Sequence, residues 1–142
     1  MSPYTFTIQG SGTTAAIPTA QLDTESLLVP ESIGEILVTI QLNAPSNGTV
    51  QVYYDQEAGT ASPDDYSRTY GYADFSTPGQ TTFNILVPIV NDSQAEGNET
   101  FTIVLSSPVN CNLGTPASAT VTIVDDDSTL GMNLMFLPIL KR

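Results

Sequence analysis

Ile36, Val38, Ile40 and Leu42 recur at every second position, and Phe101, Ile103 and Leu105 repeat the pattern. In an extended chain successive side chains point to opposite faces, so this period marks strands with one buried face. The same reading places strands at about 15–21, 26–29, 34–42, 49–55, 71–75, 81–90, 99–106 and 117–124, with a further short one over Tyr4–Gln9. Asn43-Ala44-Pro45-Ser46-Asn47-Gly48, Thr77-Pro78-Gly79-Gln80 and Ser107-Pro108 through Gly114-Thr115-Pro116 supply turns between them. Evenly spaced short strands without a helical pattern predict an all-β sandwich. The 142 residues, 40% of them apolar, suffice for one such core.

The chain divides into an N-terminal segment, 1–14, a sandwich, 15–127, and a linker with an apolar tail, 128–142. Leu134-Met135-Phe136-Leu137-Pro138-Ile139-Leu140 precedes the terminal bases. This run is far short of the ~20 residues that cross a bilayer, so direct membrane insertion is not expected. It reads equally as an edge strand packed on the sandwich or as a tag for sorting or docking. Met1-Ser2-Pro3 opens neither a basic nor an apolar stretch, so no secretion signal is expected there; the expectation that the chain is a fragment of a larger secreted protein comes from the chemistry of its acids.

Charge is the unusual feature. Fifteen acids face three bases, and Lys141 and Arg142 are two of the three, which leaves Arg68 alone in the body. Nucleic acid and anionic membrane both demand positive charge and are excluded as partners. The chain has no histidine and one cysteine, Cys111. Zinc and haem sites, histidine acid–base chemistry and an internal disulfide are therefore not expected. The lone thiol reads as a small half-buried residue.

Strand parity shows where the acids fall. If the strands run up and down between two poles, the loops 56–70 and 91–98 and the end at 125–127 share one pole. That pole receives Glu31, Asp55, Glu57, Asp64, Asp65, Asp92, Glu96, Glu99, Asp125, Asp126 and Asp127. The loops at the other, 43–48, 76–80 and 107–116, contain no acid. A surface that needed only solubility would scatter its charges, because concentrating like charges costs repulsion. A hard divalent cation removes that cost, and Ca²⁺ takes six to eight oxygens from carboxylates and carbonyls.

A set of motifs follows the same order. Val29-Pro30-Glu31-Ser32-Ile33-Gly34 precedes a strand, then come Gly59-Thr60-Ala61-Ser62-Pro63-Asp64-Asp65-Tyr66 and Phe75-Ser76-Thr77-Pro78-Gly79-Gln80-Thr81. Ile89-Val90-Asn91-Asp92, Glu96-Gly97-Asn98-Glu99-Thr100-Phe101 and Val121-Thr122-Ile123-Val124-Asp125-Asp126-Asp127 complete it. From about Ala15 to Asp127 the chain resembles a Calx-beta domain, the module of sodium–calcium exchangers, integrin β4 and many bacterial surface proteins. The resemblance implies an immunoglobulin-like, two-sheet antiparallel β-sandwich that binds calcium with the loops at one end. It also implies the metal ligands: Glu31, Asp65, Asp92, Glu96, Glu99, Asp125, Asp126 and Asp127, with the backbone carbonyl of Gln94. Asn91 stands where calcium-binding members often carry Asp, and Ile33 replaces a residue that is commonly polar. Fewer ions or weaker binding are therefore expected than in the most acidic members.

The expected function is a calcium-binding structural or adhesion module, not an enzyme, placed outside the cell or on its surface. Its expected partners are calcium ions and neighbouring domains of the parent protein or of another surface protein. A carbohydrate-binding module and a metal-free spacer are the alternatives. The lack of tryptophan argues against a stacked sugar platform, and Tyr53 and Tyr54 point to opposite faces of one strand. A glycosidase needs one protonated and one ionised acid about 5–9 Å apart, and no pair stands out for that role.

Overall fold

The computed structural model describes residues 16–46 and 48–127. The expected strand over Tyr4–Gln9, the segment 1–14 and the tail 128–142 lie outside the described residues.

Among the described residues nine strands form two sheets: β1 Thr19–Leu22, β2 Ser26–Pro30, β3 Glu35–Leu42, β4 Gln51–Ala58, β5 Gly71–Asp74, β6 Thr82–Pro88, β7 Glu99–Val109, β8 Asn112–Leu113 and β9 Ser118–Val124. Among the described residues the only helical turn is a 3₁₀ turn over Glu31–Ile33. One sheet has the order β2-β9-β7-β4-β5 and the other β6-β3-β1-β8. The two-sheet sandwich is the expected one; its pairs are antiparallel except that β2 pairs parallel with β9 and β1 parallel with β8. The chain crosses between sheets within Asp23–Glu25, so β1 and β2 lie in different sheets: β2 is an edge strand beside β9, and β1 lies between β3 and the edge strand β8.

The alternation resolves as expected. On β3, Ile36, Val38, Ile40 and Leu42 are buried while Glu35, Leu37 and Gln41 are exposed. Phe101, Ile103 and Leu105 of β7 meet them from the other sheet, with Phe75, Ile85, Val52 and Val121 filling the layer between. Tyr66 is buried from a loop, its ring stacked on Phe101 at 4.0 Å between centroids.

The strand expected to end at residue 106 runs on to Val109. Its pairing with β4 shifts between Gln51, opposite Val109, and Tyr53, opposite Ser106, so Ser107 and Pro108 occupy a bulge. A proline that cannot donate to a ladder is tolerated in such a place, which is why a turn-like dipeptide hides inside a strand. The short β8 follows from this extension.

Candidate metal centre

Register gathers the loops. Glu35 pairs with Pro88, Val124 with Pro30, and Glu99 with Ile123, which sets the ends of β2, β6 and β9 and the start of β7 at one pole. The 3₁₀ turn after β2 carries Glu31 inward, and Gly34 leaves that turn at φ 86, where a side chain would be strained. Glu31 is buried, and its Oε2 accepts the backbone N–H of Asp92 at 2.9 Å. Asp92 Oδ1 accepts the N–H of Gln94 at 2.8 Å. Asp125 Oδ2 accepts the N–H groups of Glu96 and Gly97 at 2.7 and 2.9 Å, and its Oδ1 accepts that of Asp127 at 2.9 Å. Asp126 Oδ2 accepts the N–H of Ser32 at 3.2 Å. Asp65 Oδ2 is held by the N–H and hydroxyl of Ser62 at 2.7 and 3.1 Å.

Glu31, Asp65, Asp92, Gln94, Glu96, Glu99 and Asp125–Asp127 therefore all lie at this pole, in two groups that share Asp92. Oxygens of Glu31, Asp126 and Asp127 lie within 4.8 Å of one another. Burial pushes the Glu31 carboxyl above its ordinary range, and the charges of Asp127, Asp92 and Asp126 add to this against the Asp92 N–H. Burial likewise raises Asp127, helped by Asp126, Asp125 and Asp92. On the other side, desolvation raises Glu96, and the charges of Asp92, Asp65 and Glu99 act in the same direction. Asp125 behaves oppositely: the N–H groups of Gly97, Asp127 and Glu96 hold it below the usual range. Backbone donors satisfy Asp125, while desolvation first and neighbouring negative charges second raise Glu31, Glu96 and Asp127.

Asp55 corrects the placement from parity. It sits along β4 opposite Val104, and Arg68 grips it through Nε at 2.8 Å and Nη2 at 2.5 Å. The body's one base is thus committed to an acid outside the cluster. Sequence reasoning also missed the residues that hold the loops: Ser62, Ser32, Gly97 and Asn98, whose Oδ1 accepts the N–H of Asp125 at 3.3 Å. The Ser62-Pro63-Asp64-Asp65 spacing, a turn signal, was the available clue to the first of these.

The donor set suits a hard cation. Two oxygens each 2.3–2.6 Å from one Ca²⁺ are at most about 5 Å apart, which the Glu31–Asp126–Asp127 spacing meets. Asp127 Oδ2 is buried with no hydrogen-bond partner among the described residues, and such an atom needs a cation or a donor. Every group on offer is oxygen, which favours calcium over metals that seek nitrogen or sulfur.

Fold and site together define a β-sandwich module with one carboxylate-rich pole. The family model of the Calx-beta domain matches residues 14–127, and the chain belongs to this family of calcium-binding β-sandwich domains. Adhesion G-protein coupled receptor V1 of Danio rerio is 34% identical over 106 residues, which is 73% of this chain and 2% of the receptor. Sodium/calcium exchanger 1 of Canis lupus familiaris is 35% identical over 118 residues, 68% of this chain and 12% of the exchanger. The chain thus spans a small part of both relatives. Calcium binding domain CBD12 of CALX1.1 has a similar structure, with a TM-score of 0.71 at 29% identity over 76% of this chain and 44% of that one.

Proposed function

We propose that this chain is a noncatalytic, calcium-loaded structural or adhesion module of a larger protein, acting outside the cell or on its surface. The observation that carries the reading is the pair of carboxylate groups at one pole, joined at Asp92, with the one base of the body engaged elsewhere by Asp55. Glu31, Asp126 and Asp127 would hold one ion and Asp65, Glu96 and Glu99 a second, with Asp92 between them. Asp125 and the Gln94 carbonyl complete the set, Asp125 chiefly by fixing the 96–97 backbone. Bound ions would tie the exit of β9 to the 31–34, 59–70 and 89–98 segments and so stiffen the link to a following domain. The 44% share of the CBD12 structure leaves room for such a neighbour.

Calorimetric titration with calcium tests both function and placement. Extracellular modules bind with Kd of about 10⁻⁴–10⁻³ M, whereas intracellular sensors lie near 10⁻⁷–10⁻⁵ M. The proposal expects the weaker range with about two ions per chain. Binding in the sensor range would overturn the extracellular placement, and no binding heat at ~10 mM calcium would leave the metal-free spacer.

A further inference from the structure

The outward face of the five-stranded sheet carries an aromatic cluster that the core does not use. Tyr53 on β4 and Tyr72 on the edge strand β5 are register partners. Their neighbours Val52 and Ala73 are fully buried, so alternation turns both tyrosines outward, Tyr53 half-buried and Tyr72 52% exposed. The two rings meet edge to face, with centroids 5.1 Å apart and 69° between their planes. Tyr54 turns inward toward Phe83, as its parity requires. Along its own strand Tyr53 has no aromatic neighbour on this face, and strand pairing supplies one.

Planar polar groups flank the pair at both ends. On one side Gln51 and Asp74 are the next register pair on this face, and the Gln51 amide donates to Asp74 Oδ2 at 3.4 Å. Asp74 Oδ1 is held in turn by the N–H and hydroxyl of Ser76. On the other side Arg68, fastened to Asp55, lays its guanidinium 4.8 Å over the ring of Tyr70, which is 59% exposed. A fork on a carboxylate and a cation over an aromatic face both fix side-chain orientation. Rings and hydrogen-bonding groups are therefore held in place before any ligand arrives, which lowers the entropy cost of binding.

The surroundings select the ligand. Tyrosine rings beside a fixed amide, carboxylate and guanidinium suit a molecule with both C–H faces and hydroxyls, which is the surface of a sugar ring. The aromatic island is small, because the outward positions that follow on β7 and β9 include Thr102, Ser106 and Thr120. A stable protein interface needs about 800 Å² per partner around an apolar centre. The formal charge of −12, with Arg68 already paired, repels anionic sugars. An edge-to-face pair also forms a corner, not a plate, which fits one ring of a soluble glycan better than a crystalline polysaccharide.

We propose that Tyr53, Tyr70 and Tyr72, with Gln51, Arg68 and Asp74, form a calcium-independent binding face for a short neutral oligosaccharide. The face shares no residue with the carboxylate-rich pole.

A microarray of neutral, sialylated and sulfated oligosaccharides, probed with the biotinylated full chain clustered on streptavidin, tests this. Clustering lets a shallow site register through avidity. Neutral glycans should bind equally in calcium and in EDTA, well below the melting temperature of the EDTA form. Tyr72→Ala should weaken binding about tenfold, while Tyr72→Phe, which keeps the ring, should change it about threefold at most. Arg68→Lys keeps the charge but loses the fork and should also weaken it. Thermal melting of each variant reports whether its fold is kept. Binding of acidic glycans alone, binding indifferent to Tyr72→Ala and Arg68→Lys, or no binding overturns the proposal. Binding that vanishes in EDTA while the chain stays folded moves the site to the acidic pole and overturns it too. Glycan binding without calcium binding would overturn only the proposed function.

Discussion

The two ends of this sandwich solve the problem of loop polarity in opposite ways. At the pole opposite the acids, neutral loop side chains find hydrogen-bond partners within the protein. Ser46 is buried, and its hydroxyl lies 2.8 Å from the carbonyl of Phe75 and 3.0 Å from that of Gly48. Asn43 Oδ1 accepts the N–H of Thr19 at 2.9 Å, and Asn110 Nδ2 donates to Thr49 at 2.7 Å. At the acidic pole the backbone N–H groups run out before the carboxylate oxygens do, and the remaining charges raise one another's proton affinity. One end finds its partners within the protein, and in the proposed function a cation from solution completes the other. Core and strand register are common to both, so the difference lies in loop chemistry alone.

The strongest way to break this comparison is thermal melting in calcium, in EDTA and in magnesium. At ~10 mM calcium, sites with Kd of about 10⁻⁴–10⁻³ M each add about 1.4–2.7 kcal/mol. Two such sites raise Tm on the order of 10 °C for a domain of this size. Magnesium should do less, because it sheds water reluctantly and demands octahedral geometry. Glu99→Ala with Asp126→Ala, one acid from each group, should remove most of the calcium shift yet leave the EDTA form slightly more stable. Equal melting points in all three solutions would remove the distinction between the poles.

A smaller effect sharpens it from the other side. Ser46→Ala removes the one buried hydroxyl donor that the carbonyls of Phe75 and Gly48 share at the neutral pole and should cost about 1–3 kcal/mol. The loss should be the same in calcium and in EDTA, since no metal is involved there. A loss that calcium restores would mean that the two poles are coupled.

The smallest effect is in pH, and its sign separates the states. Glu31, Glu96 and Asp127 have raised proton affinity in the fold, so between their folded and unfolded pKa values the native state holds more protons than the unfolded one. Without metal, stability should rise as pH falls from neutral toward the ordinary carboxylate range. Below the ordinary carboxylate range the trend reverses, because Asp55, held down by Arg68, and Asp125, held down by backbone N–H groups, lose their stabilisation on protonation. With calcium the first trend inverts, since protons compete with the ion for the same oxygens. Melting curves across this range, with and without EDTA, check both signs.

The acidic pole was legible because parity needs only strand order. Two-residue alternation placed β3, β6, β7 and β9, and their directions sent Glu31, Asp92, Glu99 and Asp125 to one end. Partners across loops were not legible in the same way. Nothing in the local pattern ties Arg68 to Asp55, since the thirteen-residue separation is bridged by the return of the 59–70 loop along β4. The parallel β2–β9 and β1–β8 pairs join segments distant in sequence, which periodicity cannot pair. Pro108 misled for a physical reason: the same residue terminates a turn or sits in a bulge, and only the partner strand decides.

Amide hydrogen exchange of both poles in one sample tests the central claim most directly. The N–H groups of Ser32, Asp92, Glu96, Gly97 and Asp127 report on the acidic end, and those of Thr19, Phe75 and Asn112 on the neutral end. With calcium replacing EDTA, under conditions where local opening rather than global unfolding governs exchange, the first set should slow markedly while the second stays unchanged. Equal slowing at both ends, or no change at the acidic end, would contradict the account.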